Sequence, residues 1–237
     1  MEYSVDKFLG DKVLLKQSKK GLRATSDSVL VAALVPVKNG ESVLDVGAGN
    51  GVIGCCLNAR VPCQITAIET QPDLCSLIQE NADLNKTKME VIQQDIFSKY
   101  DLLKGKLFHH VVTNPPFYEI SKNTRQNPEQ RKAYVQNFDL KKWMEYCLKH
   151  LRAKGTFNLI HRPEMLGQIL PVLEKKLGNI EIFPIISKEG EPAKRILIRG
   201  ILNKKGCSTL HSPLIMHTKE NKRTELAEKI LRFGGAI

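Results

Sequence analysis

The segment Asn114-Pro115-Pro116-Phe117, at the end of the apolar run Phe108 to Thr113, has the residue types and spacing best suited to chemistry in this chain. Two successive prolines hold φ near about −65° and donate no N–H, so they sit where a strand has stopped pairing and the backbone turns rigid. Such a turn presents acceptors, the Asn114 amide oxygen and the Pro115 carbonyl, with the flat ring of Phe117 beside them. Two acceptors next to an aromatic face form a receptor for a planar group bearing an NH2, such as the exocyclic amine of a nucleobase or the end of a carboxamide.

Other elements must bring a second ligand to that turn. Residues 42–46 read as a short buried strand that runs through Gly47-Ala48-Gly49-Asn50-Gly51 into the helical pattern of Val52, Ile53, Cys56 and Leu57. A strand entering a helix through glycines is the ligand-binding corner of a doubly wound α/β fold. The spacing departs from the dinucleotide fingerprint, because the sixth position from Gly47 is Val52. The third glycine at Gly51 instead gives an open loop for a ligand without a pyrophosphate. A second strand, residues 64–69, ends in Glu69, a carboxylate placed to accept ribose hydroxyls. A third, residues 89–94, leads to Asp95 and Ile96, a polar acceptor and an apolar wall for an adenine. With Asn114 closing the fourth strand, the strand ends converge on one crevice.

Residues 43–51, Glu69, Asp95 and Asn114-Pro115-Pro116-Phe117 resemble the class I S-adenosylmethionine-dependent methyltransferases that modify exocyclic amines, whose diagnostic element is Asn or Asp followed by Pro-Pro-aromatic. Residues 21–30, 131–154, 188–200 and 212–217 resemble, further, the bacterial tRNA1(Val) (adenine-37-N6)-methyltransferases, so the likeness covers nearly the whole chain. The chain departs from the usual pattern in carrying Phe117 where Tyr is commoner, in the Ser26 between Thr25 and Asp27, and in its basic C-terminal portion. The resemblance implies a Rossmann-like α/β fold, a seven-stranded mostly parallel sheet with an antiparallel last strand and helices on both faces. It implies S-adenosyl-L-methionine as cofactor, with Asp45 and the backbone of Gly47 and Gly49 at its amino-acid end, Gly51 also cofactor-binding, Glu69 on the ribose, Asp95 and Ile96 at the adenine, and Asn114 reaching both substrates. Asp27 stays open between a cofactor contact and a helix cap. For catalysis it implies Asn114, Pro115, Pro116 and Phe117, with Phe117 and Tyr118 stacking on an extruded base.

A chain of 237 residues is long enough for one full core. Residues 1–42 read as a hairpin around Gly10-Asp11 and a leading helix, and residues 43–237 as the catalytic domain of the same compact unit, with a polar lid loop at 119–137. Helices are expected at 140–151, 163–176 and 220–232, and strands at 155–160, 180–186 and 195–202. The net charge of +11 is uneven. Residues 43–118 carry 6 basic and 8 acidic residues, residues 119–160 carry 9 and 4, and residues 161–237 carry 14 and 8. A nucleic-acid partner, a tRNA, is expected on the N-terminal arm (Lys16, Lys19, Lys20, Arg23) and on the half after the turn, with Arg125, Arg131, Lys132 and Arg195 as substrate contacts and binding that weakens with salt. The six cysteines form no Cys-x-x-Cys pair and read as free thiols of a reducing compartment. His109 and His110 are neighbours in a strand and point to opposite faces, so no metal is expected. No apolar run approaches a membrane span and no signal peptide is evident. The expectation is a cytoplasmic protein without membrane contact, with a monomer favoured.

The function expected on this reading is methyl transfer to the N6 of adenine in tRNA, at adenine-37 of a valine tRNA. Glutamine N5-methylation of peptide-chain release factors is the first alternative, although its family's helical N-terminal domain does not fit before Ser42. An N6-adenine methyltransferase of rRNA or DNA is the second. A basic RNA-binding protein that kept the fold without the chemistry is a third, opposed by Asn114 and Glu69 both being in place.

Overall fold

The computed structural model describes residues 2–19, 23–116 and 138–237. Strands β1 (Tyr3–Phe8) and β2 (Val13–Ser18) form an antiparallel hairpin, and helix α1 spans Ser26–Leu34. The parallel part of the main sheet is built from β3 (Ser42–Val46), α2 (Val52–Arg60), β4 (Gln64–Glu69), α3 (Pro72–Leu84), β5 (Met89–Gln93) and β6 (Phe108–Thr113). After α4 (Leu140–Lys149) come β7 (Leu151–His161), a 3-10 turn at Pro163–Met165 with α5 (Leu166–Leu173), β8 (Leu177–Ile186) and β9 (Arg195–Leu202). The chain ends with β10 (Thr209–Leu210), β11 (Leu214–Ile215) and α6 (Glu225–Leu231).

The seven long strands lie in the order β8-β9-β7-β6-β3-β4-β5, parallel throughout except for β9, which pairs antiparallel with both β7 and β8. That is the expected α/β sheet with its antiparallel last long strand. It is widened to nine strands by the two-residue β10 and β11, which add in parallel to the outer edge of β8. Such short pieces cover part of an otherwise unpaired edge.

Period-2 alternation splits the sheet between two cores, as a sheet buried on both faces requires. Val43, Ala67, Val112, Ile160 and Leu197 pack with α1 and α2 on one face. Leu44, Ile68, Val111, Leu159 and Ile198 pack with α4 and α5 on the other.

Several boundaries differ from the sequence reading, among them the strand expected at 180–186, which starts at Leu177, and the helix expected at 140–151, which ends at Lys149. The helix expected over 163–176 begins as a 3-10 turn and has its α-helical part at Leu166–Leu173. The terminal helix starts at Glu225, because the Thr224 side chain accepts from Ala227 N and caps it there. The strand expected at 155–160 extends from Leu151 to His161.

The hairpin is fastened to the sheet by two asparagines, one in the last turn of α3 and one at its C-cap. Asn81 accepts from Lys16 N (2.7 Å) and donates to Lys16 O (3.0 Å), while Asn85 accepts from Leu14 N (2.9 Å) and donates to Leu14 O (2.6 Å). A helix rises about 6 Å over four residues and a strand advances about 6.6 Å over two, so side-chain amides four apart can serve alternate residues of β2 as a neighbouring strand would. The fully buried Asn81 also donates to Asn50 O (2.9 Å), which ties the hairpin to the glycine loop. Asn81→Ala strands these buried groups and is expected to lower stability by about 2–4 kcal/mol, read from the midpoint of urea unfolding.

Candidate active site

Strands β3, β4, β5 and β6 are parallel, and their register sets Val46 level with Ile68 and Thr113, and Glu69 level with Gln93. The residues that follow each strand therefore meet along one edge. There the structure brings together Asp45, Gly47, Gly49, Gly51, Glu69 and Asn114.

The loop after β3 turns through positive φ at Gly47 (74°), Gly49 (60°) and Gly51 (80°), a conformation that glycine adopts without a Cβ penalty. Gly47 N and Ala48 N both donate to Ile68 O at 2.9 Å, and Gly51 N donates to Ala48 O at 2.9 Å. The three glycines meet different surroundings. A Cβ on Gly47 would stand 2.8 Å from the Trp143 ring, and one on Gly51 3.2 Å from Ile78, whereas one on Gly49 would meet nothing within 4 Å. Gly47 is thus required by packing, while Gly49 faces open space.

Asn114 is fixed from two sides. Its predecessor Thr113 donates through Oγ1 to Val46 O (2.8 Å) and accepts from Trp143 Nε1 (2.9 Å), locking the end of β6 to the end of β3. Its own Nδ2 donates to Ser28 Oγ at 3.1 Å. Asn114 Oδ1 is buried and has no donor. Pro115 is buried and Pro116 half-buried.

Asp45 is more extreme. It is fully buried in β3, and neither carboxylate oxygen has a hydrogen-bond partner. Burial, and secondarily the charge of Glu69, pushes its carboxyl up from 3.8 to about 8, so Asp45 holds its proton at neutral pH in the ligand-free chain. Glu69 is the better satisfied acid: Oε1 accepts from Thr70 N (2.8 Å) and Gln71 N (3.1 Å), and Oε2 from Gly49 N (3.0 Å). A carboxylate offers about four acceptor positions, which leaves about one for a ligand hydroxyl, on Oε2.

The remaining expected site residues are dispersed. Asp95 stands exposed beyond β5, its Oδ1 accepting from Phe97 N (2.9 Å), with Ile96 half-buried next to it. Asp27, open in sequence between a cofactor contact and a helix cap, and Arg195, expected on the RNA, meet each other: Arg195 Nε donates to Asp27 Oδ2 at 2.7 Å. Thr25, not Asp27, supplies the cap of α1, accepting from Asp27 N. Phe117, Tyr118, Arg125, Arg131, Lys132 and the whole of 119–137 lie outside the described residues, as does Lys20. The other cations of the N-terminal arm are each engaged by an acid, Lys16 by Glu80 (2.6 Å), Lys19 by Glu2 (3.3 Å) and Arg23 by Asp6.

Sequence reasoning missed Ser28, Gln17 and the placement of Trp143. Gln17 Oε1 accepts from Asn50 Nδ2 (3.0 Å) and Ala24 N (2.6 Å), joining β2 to the glycine loop. Trp143 underlies Gly47 and is flanked by the rings of Phe138 (5.4 Å between centroids) and Phe97 (6.2 Å). Its helix looked only amphipathic, with no signal of which strand end it would meet. Among the described residues, no group of three or more His, Cys, Asp or Glu side chains is gathered to hold a metal ion.

Because folding raises the Asp45 pKa, its protonated form is the one the fold favours. Below 3.8 both folded and unfolded chains hold the proton; from there to about 8 the unfolded chain loses it first, so this residue's contribution to stability falls as pH rises and is flat above. Asp45→Asn is expected to gain stability over the ligand-free wild type as pH rises from 5 to about 8, measured by urea unfolding at several pH values. A constant difference across that window would show that Asp45 is not held protonated.

The methyltransferase small-domain family model matches residues 18–185. The tRNA1(Val) (adenine(37)-N6)-methyltransferase of Haemophilus influenzae (strain PittEE) is 25% identical over 215 residues, covering 89% of this chain and 90% of that protein. The protein of the same name from Mannheimia succiniciproducens is 26% identical over 215 residues, covering 89% and 86%. Among solved structures, a predicted O-methyltransferase, protein Atu636 of Agrobacterium tumefaciens, superposes with a TM-score of 0.74 at 23% identity, covering 89% of this chain and 98% of that one. The Thermus thermophilus 16S rRNA N2 G1207 methyltransferase, in complex with AdoMet and guanosine, gives 0.59 at 19% identity, covering 85% and 50%. This chain belongs to the methyltransferase small-domain family and is an enzyme of methyl transfer.

Proposed function

We propose that this protein transfers the methyl group of S-adenosyl-L-methionine to the exocyclic N6 of an adenine in tRNA, at adenine-37 of a valine tRNA. The observation that carries the reading is the buried, donorless Asn114 Oδ1 beside a glycine loop that leaves open space at Gly49. An amine hydrogen is the complement such an oxygen lacks, and relatives spanning most of the chain bear the name of that reaction. A tRNA substrate places the enzyme in the cytoplasm.

The cofactor fits the donor set. Asp45 has two unpaired oxygens, which would both accept from the N–H groups of an amino-acid moiety, directly or through water, once its ammonium charge draws off the Asp45 proton; Gly49 leaves the room a side chain would fill, and Glu69 Oε2 retains about one position for a ribose hydroxyl. Ile96 and Asp95 are offered to the adenine. When bound, the sulfonium supplies an activated methyl carbon. The enzyme's own residues then have one task, because the N6 lone pair is delocalised into the base and the amine is a poor nucleophile.

Asn114 Oδ1 and the Pro115 carbonyl accept the two amine hydrogens, favour the pyramidal nitrogen and stabilise the positive charge that grows on it as it attacks. Asn114 and Pro115 would hold the amine as it takes the methyl of the bound sulfonium, the C–S bonding pair leaving on a neutral thioether and the extra proton of the methylated amine passing to water. Holding nitrogen, carbon and sulfur in line is worth about 7–11 kcal/mol of the barrier. Stacking of the extruded base on Phe117 and Tyr118 adds about 1–3 kcal/mol. Arg125, Arg131 and Lys132 are assigned to the RNA phosphates on sequence grounds.

Incubation with methyl-labelled cofactor and, separately, total tRNA, release factor or DNA, followed by digestion, tests this reading. The expected label is N6-methyladenosine from one tRNA. Label confined to N5-methylglutamine or to DNA adenine would overturn it.

A further inference from the structure

We propose that Ser28, in the first turn of α1, is a positioning residue for methyl transfer that anchors the Asn114 amide by its Nδ2 end and so leaves the oxygen for the acceptor amine. The inference rests on the reading that Asn114 receives that amine. An asparagine amide has a donating and an accepting end of nearly the same shape, and rotation about its last side-chain torsion exchanges them. Only the oxygen helps an amine that must shed positive charge; the NH2 end would oppose two sets of hydrogens.

The structure places a partner on one end alone. Asn114 Nδ2 donates to Ser28 Oγ at 3.1 Å, and the buried Oδ1 has none. Ser28 is itself buried, so little water competes for this bond. The hydroxyl also stands on a braced element. Thr25 caps α1, residues 28–34 are buried in the core, and Asp27, the neighbour of Ser28, is tied to the start of β9 through the 2.7 Å ion pair with Arg195. An 86-residue separation in sequence thus becomes one hydrogen bond between the first helix and the end of β6.

Ser28→Ala removes the hydroxyl with little risk to the fold, since alanine is the better helix former. The wild type, Ser28→Ala and Ser28→Thr are compared in three measurements: kcat on whichever of tRNA, release factor or DNA the wild type methylates; affinity for S-adenosyl-L-methionine together with thermal midpoint; and hydrogen exchange of the Asn114 side-chain amide by NMR in the ligand-free protein. The expected result for Ser28→Ala is a fall in kcat of about tenfold, the worth of one neutral hydrogen bond, with cofactor affinity and midpoint little changed and faster Asn114 amide exchange. Ser28→Thr, which keeps the hydroxyl, is expected to recover kcat and slow the exchange again. Unchanged kcat and exchange in Ser28→Ala would overturn the inference. So would a fall in kcat accompanied by equal losses of affinity and midpoint, because that pattern marks a packing residue. If the wild type transfers no label to tRNA, the proposed substrate falls, while the amide exchange still decides the role of Ser28.

Discussion

A polar side-chain atom sealed from water and given no partner costs a fold about 1–3 kcal/mol, and this protein carries that cost at both oxygens of the protonated Asp45 carboxyl and at Asn114 Oδ1. The three atoms belong to neighbouring strands, β3 and the end of β6, which pair in register. Such atoms stay exposed to a ligand and away from alternative partners only if the surrounding structure prevents the backbone from turning to satisfy them. The details around the crevice fit that constraint. Thr113 bridges Val46 and Trp143, Trp143 closes over Gly47 so that no side chain is tolerated there, and the two prolines after Asn114 remove the torsional freedom with which the turn would relax.

The same logic explains why the hairpin is wired so closely to the glycine loop. A loop that holds three residues at positive φ needs its position set by contacts outside itself. Asn50 is gripped from both sides, its carbonyl by Asn81 and its side-chain amide by Gln17, and Gly49 N is held by Glu69. Ligand-facing geometry is thereby fixed by buried side-chain amides, which carry no charge and add no competing field beside Asp45. The arm's cations, in contrast, are balanced pairwise by acids, so among the described residues its positive charge is largely internal to the hairpin and its neighbours.

Local signals carried much of this into the sequence. Strands β3 and β4 and the residues that end them are legible because each is a short apolar run punctuated by glycines or an acid, and β9 because a polar loop precedes an alternating run. Contacts between distant polar side chains were not. Asn81 and Asn85 look like ordinary exposed-face residues of an amphipathic helix, and only the fold reveals that their spacing matches the repeat of β2. Ser28 sits in an apolar run where a serine reads as neutral filler, and its partner lies 86 residues away. Arg195 reads as an RNA contact and Asp27 stays open between cofactor and cap because a charged residue near a crevice has no way, in sequence, to show that its counterion is another residue. The two-residue strands β10 and β11 carry too few residues to show any period.

The most direct measurement is the turnover of Asn114→Ala set against its cofactor affinity. Removal of this buried, donorless amide oxygen is expected to lower kcat by about 10²–10³-fold, the usual loss for a single transition-state partner, while the dissociation constant for S-adenosyl-L-methionine stays within a few fold. Turnover equal to that of the wild type would contradict the claim that this oxygen receives the amine.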